Sequence, residues 1–209
     1  MVVEKIFKVR KDMREMNMRD LTVGDKIEFE LKNGKKAETV VVGRDHYEQG
    51  DIMLWFNRIV DKRAMNDELT NKGGWAQCDL REWLNGEFLE MLPNDLREIM
   101  VPKKNIQIIK GKPVESEDLV SLMSEKEVTG ENYWSKENGT DKQFPFFENE
   151  RDRIAIDDEN ETWWYWLADP SAANATAFCG IANHGYSCYT GASYAGGVAP
   201  LIVLRRAEQ

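Results

Sequence analysis

The chain has 209 residues, 42% hydrophobic and 31% charged, with a formal net charge of −9. This is enough for one sizeable domain of ordinary soluble composition, and no apolar run is long enough to span a bilayer. With no basic block, neither nucleic acid nor an anionic membrane surface is expected as a partner, because both select clustered Lys and Arg.

Cys78, Cys179 and Cys188 are odd in number and widely spaced, so they form neither a disulfide framework nor a zinc pattern and are expected as reduced thiols. His46 and His184 are the only histidines, which excludes a multi-histidine metal site. No metal, cofactor or catalytic group is expected. Residues 1–14 mix charged and apolar side chains without the apolar core of a secretory signal, which leaves the location open between cytoplasm and virion.

The predicted elements begin with residues 21–32, where Ile27, Phe29 and Leu31 alternate with polar residues as in a half-buried strand. Asn33-Gly34 is a strong hairpin signal, and residues 37–43 supply the returning strand. Residues 52–60 read as a third strand. Asp79 is the expected N-cap of a helix carrying Leu80, Trp83, Leu84, Phe88 and Leu89 at helical spacing. Pro93-Asn94-Asp95 opens a second short helix, and residues 105–109 read as a strand. Residues 119–123 are a short apolar run, and Ser124 and Glu127 have capping-box spacing. Residues 133–156 are expected as long ordered loops held by Phe144, Phe146 and Phe147. Asp157, Asp158, Glu159 and Glu161 read as a solvated charge run rather than a paired-carboxylate site. Residues 198–204 form a closing apolar strand. Strands at both ends with helices between predict an α+β fold whose last strand returns to the first sheet.

The composition changes abruptly after Asp169. Residues 170–204 contain no Lys, Arg, Asp, Glu, Gln, Met or Trp. The segment carries Tyr186, Tyr189 and Tyr194, too many aromatics for a flexible linker, and too much Gly for a plain core strand. Randomising only the adenines of an A-A-pyrimidine Asn codon never yields Lys, Glu, Gln, Met or Trp. All five are missing from the segment.

The chain carries an ordered series of short motifs: Met65-Asn66, Thr70-Asn71-Lys72-Gly73-Gly74-Trp75, Leu80-Arg81-Glu82-Trp83-Leu84-Asn85, Leu92-Pro93 with Leu96-Arg97, and Ser124-Glu125-Lys126-Glu127-Val128. Trp164-Tyr165-Trp166-Leu167 with Pro170, Phe178-Cys179, Gly185 and Gly197-Val198-Ala199-Pro200 follow. From about residue 21 to the end, this series resembles the C-type-lectin-fold variable proteins of diversity-generating retroelements, in the branch of gut bacteria and their phages. The resemblance implies a C-type lectin fold of the formylglycine-generating-enzyme-like superfold, with mixed sheets, two or more helices and long ordered loops. It also implies an N-terminal extension (1–20), a single domain (21–209) and a variable region at about 171–197. In that family an error-prone reverse transcriptase mutates adenines while copying a template into the 3′ end of the gene.

By resemblance, Asn174, Thr176, Ala177, Gly180, Ala182, Asn183, His184, Tyr186, Cys188, Tyr189, Thr190, Gly191, Tyr194 and Gly196 are the variable, ligand-binding positions. Phe178, Ile181, Gly185, Ala192, Gly197 and Val198 are scaffold. Where the family often has Trp-Trp-Leu-Arg-Ser-Pro, this chain has Tyr165-Trp166-Leu167-Ala168-Asp169-Pro170, without the Arg and Ser of a local hydrogen-bond network.

The implied function is a receptor- or adhesin-type binder of a macromolecule, a protein or cell-surface molecule, with the three tyrosines as anchors. Trp163, Trp164 and Trp166 are either a sugar-stacking platform or, as large aromatics usually are, core. Two alternatives remain. One is a fixed-specificity structural phage or prophage protein of the same fold. The other is a formylglycine-generating-type oxidase, which uses a close cysteine pair; Cys179 and Cys188 lie nine positions apart without matching flanks. Diversification requires Tyr186, Tyr189, Thr190 and Tyr194 exposed on one contiguous face.

Overall fold

The computed structural model describes residues 6–8 and 18–205. Strand β1 (Ile6–Lys8) pairs in parallel with β2 (Lys26–Glu30), so the described part of the N-terminal extension adds a strand to the domain. The rest of that extension lies outside the described residues. The first strand is shorter than the sequence pattern suggests, because residues 22–25 form a turn. Gly24 takes φ 92°, and the Asp25 carboxylate accepts from Thr22 N at 2.8 Å and Thr22 Oγ1 at 3.0 Å.

The Asn33-Gly34 turn joins β2 to β3 (Lys36–Arg44), with Gly34 at φ 82° as such a turn requires. β4 (Ile52–Trp55) pairs with β3 and ends five residues earlier than expected. β5 (Asp61–Arg63) belongs to another sheet.

Helix α1 (Asp79–Trp83) starts one residue earlier than the Asp79 cap implied. Cys78 is the N-cap, and its Sγ accepts from Arg81 N. Asp79 instead accepts the Asp67 N–H at 2.7 Å. A π-helical stretch over Leu84–Phe88 leads into α2 (Leu89–Met91), followed by α3 (Asn94–Arg97). β6 (Met100–Val101) leads to a two-stranded ribbon of β7 (Lys103–Ile109) and β8 (Lys112–Asp118), then to β9 (Val120–Ser121). The Ser124/Glu127 capping box is present at the start of α4 (Glu125–Thr129). Residues 130–154 are loop with two short 3-10 turns. Phe144 and Phe147 are buried there and Phe146 is partly so.

The remaining strands are β10 (Ala155–Ile156), β11 (Thr162–Trp163), β12 (Tyr165–Pro170), β13 (Ala177–Ile181), β14 (Ser187–Gly191), β15 (Gly196–Val198) and β16 (Leu201–Leu204). Ala199-Pro200 breaks the expected closing strand in two. β15 joins a five-stranded sheet ordered β14-β13-β12-β15-β5. β16 enters the seven-stranded sheet, pairing with β4 on one side and with β6 and β9 on the other. The fold is α+β, rich in strands with few short helices, and its last strand does return to the first sheet.

Two apolar cores explain the unbroken burial of the central strands. Ile52, Leu54, Ile202 and Leu204 face one core with Phe56, Phe88, Trp75 and Trp166. Met53, Trp55, Leu201 and Val203 face the other with Phe144, Phe147 and Tyr165. Successive side chains of a strand point to opposite faces, so a strand buried on both sides reads as a continuous apolar run. β12 and β13 are shared in the same way, with Trp166 and Phe178 on the first core and Tyr165, Leu167, Cys179 and Ile181 on the second. No helix among the described residues is long and apolar enough to cross a membrane.

Candidate functional site

The segment that lacks charged residues forms the β13–β14 hairpin at the end of the five-stranded sheet, with the loops on either side. Its backbone is held from below. The Asn71 side-chain nitrogen lies 3.1, 3.0 and 2.9 Å from the carbonyls of Ser171, Asn174 and Ala177, and Asn71 N donates to Ala175 O at 2.9 Å. Further along, Met65 N and Asn66 N both donate to Ala192 O, and Ala192 N donates to Thr176 O. The Met65-Asn66 and Thr70–Trp75 motifs therefore act as backbone clamps on residues 171–192. These loops tie down polar groups that would otherwise be unpaired.

On this frame the predicted positions divide. Asn183, His184, Tyr186, Tyr189 and Tyr194 are exposed, and the three tyrosines are among the few exposed large hydrophobic side chains of the described residues. Asn174, Thr176, Ala182, Cys188, Thr190 and Gly191 are half-buried. Ala177, Gly180 and Gly196 are buried, which corrects their expected placement on the ligand-facing surface. A Cβ at Gly180 would lie 2.8 Å from Tyr165 O. At Gly196 it would lie 2.4 Å from the Trp164 ring and 2.5 Å from Trp166 Nε1. Of the scaffold residues, Phe178, Ile181, Ala192 and Val198 are core. Gly185 takes φ +91° against Glu150 O, where a Cβ would clash at 2.2 Å.

The expected single contiguous face is not found: Tyr186, Tyr189 and Tyr194 are exposed around the sheet edge on more than one side, and Thr190 is half-buried. β13 pairs with β14 so that Cys179 stands opposite Tyr189 and Gly180 opposite Cys188. Tyr189 projects to the side of α4 and packs edge-to-face on Trp134, with ring centroids 4.9 Å apart. Cys188 and Thr190 point the other way, into an open groove of about 600 Å³ shared with Trp163, Trp164, Asn183 and Tyr194. At the hairpin tip, Tyr186 packs on His184, and the Glu150 carboxylate near its hydroxyl raises the phenol above its usual range.

Cys179 and Cys188 thus project to opposite faces of the sheet, and Cys179 is in the core. Burial pushes the Cys188 thiol up to about 11, with the nearby Glu125 adding to the shift. Burial likewise raises Cys179 well above the ordinary range. Both are held as thiols, away from the thiolate form that nucleophilic or metal chemistry uses. Among the described residues, no group of three or more His, Cys, Asp and Glu side chains is placed to hold a metal. Of the tryptophans flanking the site, Trp166 is buried with its Nε1 donating to Arg63 O at 2.8 Å. Trp163 and Trp164 are half-buried, and Lys62 Nζ sits 3.3 Å above the Trp163 ring centre. In the acidic run, Asp158, Glu159 and Glu161 are exposed while Asp157 is buried, paired with Lys62 at 3.1 Å.

Four residues of the site escaped the sequence reading: Asn71 and Glu125, quoted only within motifs, and Trp134 and Ser187. The Glu125 carboxylate is fully buried. It accepts from Trp134 N at 3.0 Å, from Ser135 N at 2.8 Å, from Ser135 Oγ at 2.6 Å and from Ser187 Oγ. A second Glu inside a capping box, two positions before the Glu127 that already completes it, is the sequence signal that could have flagged it. Asp169 forms a network of its own, its carboxylate accepting from Glu125 N at 2.7 Å and Gln107 Nε2 at 3.3 Å. Burial pushes its pKa up to about 7.

No curated protein and no solved structure matches the chain. Residues 49–206, which include the clamps, the hairpin and the closing strand, match the profile of DUF6273, a domain of unknown function. The chain belongs to the DUF6273 family.

Proposed function

We propose that the protein is a non-enzymatic ligand-binding protein of receptor or adhesin type, with a C-type lectin fold. Its C-terminal hairpin surface is exchanged by adenine-directed mutagenesis from a diversity-generating retroelement carried by a gut bacterium or phage. The observation that carries this reading is the division of labour along one segment. Tyr186, Tyr189 and Tyr194 are exposed, while the backbone that bears them is clamped by Asn71, Met65 and Asn66. Side chains that offer large area with few torsions sit on a frame ordered before any ligand arrives, as in an antibody paratope.

The restricted residue alphabet of residues 170–204 supports the reading independently. Insertion of the last strand beside β4 and the long braced loops over 130–154 support the lectin-type fold. The variable set narrows to positions whose side chains reach solvent, which leaves out Ala177, Gly180 and Gly196. The surface wraps the β14 edge, so a ligand would contact two flanks and the hairpin tip.

The test is to sequence the 3′ end of the gene across a source population together with its flanking DNA. The expected result is substitution at the codons of the exposed and half-buried positions, only where a nearby near-copy carries adenine, with the buried Ala177, Gly180 and Gly196 constant. An invariant segment with no near-copy would replace this reading with a fixed-specificity structural protein.

A further inference from the structure

The loop carrying Tyr133 and Trp134 lies outside the segment with the restricted alphabet, yet it reaches the same surface. Tyr133 is 62% exposed and Trp134 37%. Large aromatics are rarely left in water without a use, and clusters of them mark interaction sites. Trp134 is also built in firmly. Its N–H donates to buried Glu125, its carbonyl accepts from Ala172 N at 2.6 Å, and its indole N–H reaches Ser187 O at 3.4 Å. Its ring packs edge-to-face on Tyr189. Through Ala172, Ser187 and Tyr189 it touches both ends of the exchangeable hairpin.

We propose that Tyr133 and Trp134 form a constant aromatic ledge of the binding surface, and that the ledge takes a basic protein epitope, with Arg or Lys side chains over the ring faces. This rests on the reading of the hairpin as a binding surface. The choice of a basic partner comes from charge. The chain carries −9, and residues 170–204, which carry no charged side chain of either sign, leave the charge of the surface to its neighbours. Glu131, two positions before Tyr133, and Glu150, near the Tyr186 hydroxyl, are both exposed. Between 131 and 137 Lys136 is the one cation, beside Glu137, which also pairs with Lys126. An aromatic face bordered by carboxylates favours guanidinium and ammonium groups. Because these residues are outside the exchanged segment, every variant would inherit the same preference.

The experiment uses the full chain in a display library varied at Asn183, His184, Tyr186, Tyr189, Thr190 and Tyr194. It is selected in parallel against lysozyme, a folded basic protein, and α-lactalbumin, a folded acidic one. The expected result is recovery mainly on lysozyme, with affinities that fall about tenfold or more on Trp134→Ala or Tyr133→Ala and protection of amides 131–137 from hydrogen exchange in the complex. Tyr133→Ala guards against loss of fold, since that side chain is mostly in solvent. Lysozyme binders indifferent to both substitutions, with amides 131–137 unprotected, would overturn the ledge and leave the binding surface standing. Equal recovery on α-lactalbumin would overturn the basic epitope. Failure to recover any binder would overturn the ledge together with the reading of the hairpin on which it rests.

Discussion

Asn71 and Ala177 are more than a hundred positions apart in sequence, yet the Asn71 side-chain nitrogen lies 2.9 Å from the Ala177 carbonyl. The same amide group reaches the carbonyls of Ser171 and Asn174. One side chain thus fixes the entry of the chain into the hairpin, using only backbone atoms of the partner segment. Such a contact is indifferent to the side chains carried above it, and the segment can change sequence without losing its anchor.

Asn71→Ala should therefore loosen the segment. Carbonyls left without donors cost roughly 1–3 kcal/mol. Urea denaturation should show a loss of that size, and hydrogen exchange should show faster opening over residues 171–177 than over β3 and β4. Equal opening across the molecule would mean that Asn71 acts on global stability and not as a clamp.

The buried glycines and the exposed tyrosines should respond oppositely. Gly180→Ala and Gly196→Ala force a Cβ against Tyr165 O and the Trp164 and Trp166 rings, and each should cost about 1–3 kcal/mol. Tyr194→Ala, at a side chain 62% exposed, should stay within about 0.5 kcal/mol. Thermal melting of the three variants checks the ranking.

Asp169 makes stability depend on pH. Its folded pKa is about 7 against an ordinary 3.8, so between these values the folded state holds a proton that the unfolded state has released. Stability from this group is then full below about pH 4 and is lost as pH rises through about 7. Asp169→Asn cannot ionise. Relative to it, the unmodified protein should lose a few kcal/mol between pH 5 and pH 8, measured by urea titration at each pH. A difference that does not vary with pH would show that the Asp169 carboxyl titrates normally.

Cys188 should be slow to alkylate. With its thiol near 11 in place of 9.0, the thiolate at pH 8 is roughly 100-fold scarcer than for an unshifted cysteine. Iodoacetamide labelling followed by mass spectrometry should show this. Oxidation should give no Cys179–Cys188 disulfide, because the two side chains leave opposite faces of the sheet. Rapid labelling or a bridge would favour the oxidase alternative.

Much of the fold was legible because short-range chemistry decided it. The Asn33-Gly34 turn, the Ser124/Glu127 capping box and the Pro93 helix start each depend on neighbours in sequence. The elements that escaped depend on distant ones. β8 reads as polar chain, Lys112-Pro113-Val114-Glu115-Ser116-Glu117-Asp118, because the ribbon it makes with β7 leaves that strand largely in solvent. The split at Ala199-Pro200 is invisible as a pattern, since the strands on both sides of it are buried. At the site, the alphabet of residues 170–204 marked the right segment but not the direction of each side chain. Gly180 and Gly196 have compositions suited to a variable position and surroundings that permit only Gly. Trp134 carried no motif, and its place beside Tyr189 comes from the fold of a loop whose Glu125 anchor is found only in three dimensions.

The position of β16 has a consequence for faulty copies of the gene. Leu201–Leu204 are the last regular element among the described residues, yet they fill an interior slot of the seven-stranded sheet, between β4 on one side and β6 and β9 on the other. Any frameshift or stop arising in the hairpin upstream deletes this strand. Such a product lacks Leu201–Leu204, which contribute to both apolar cores, and it should fail to fold. The order of strands along the chain makes intact translation of the hairpin segment a condition of folding at all.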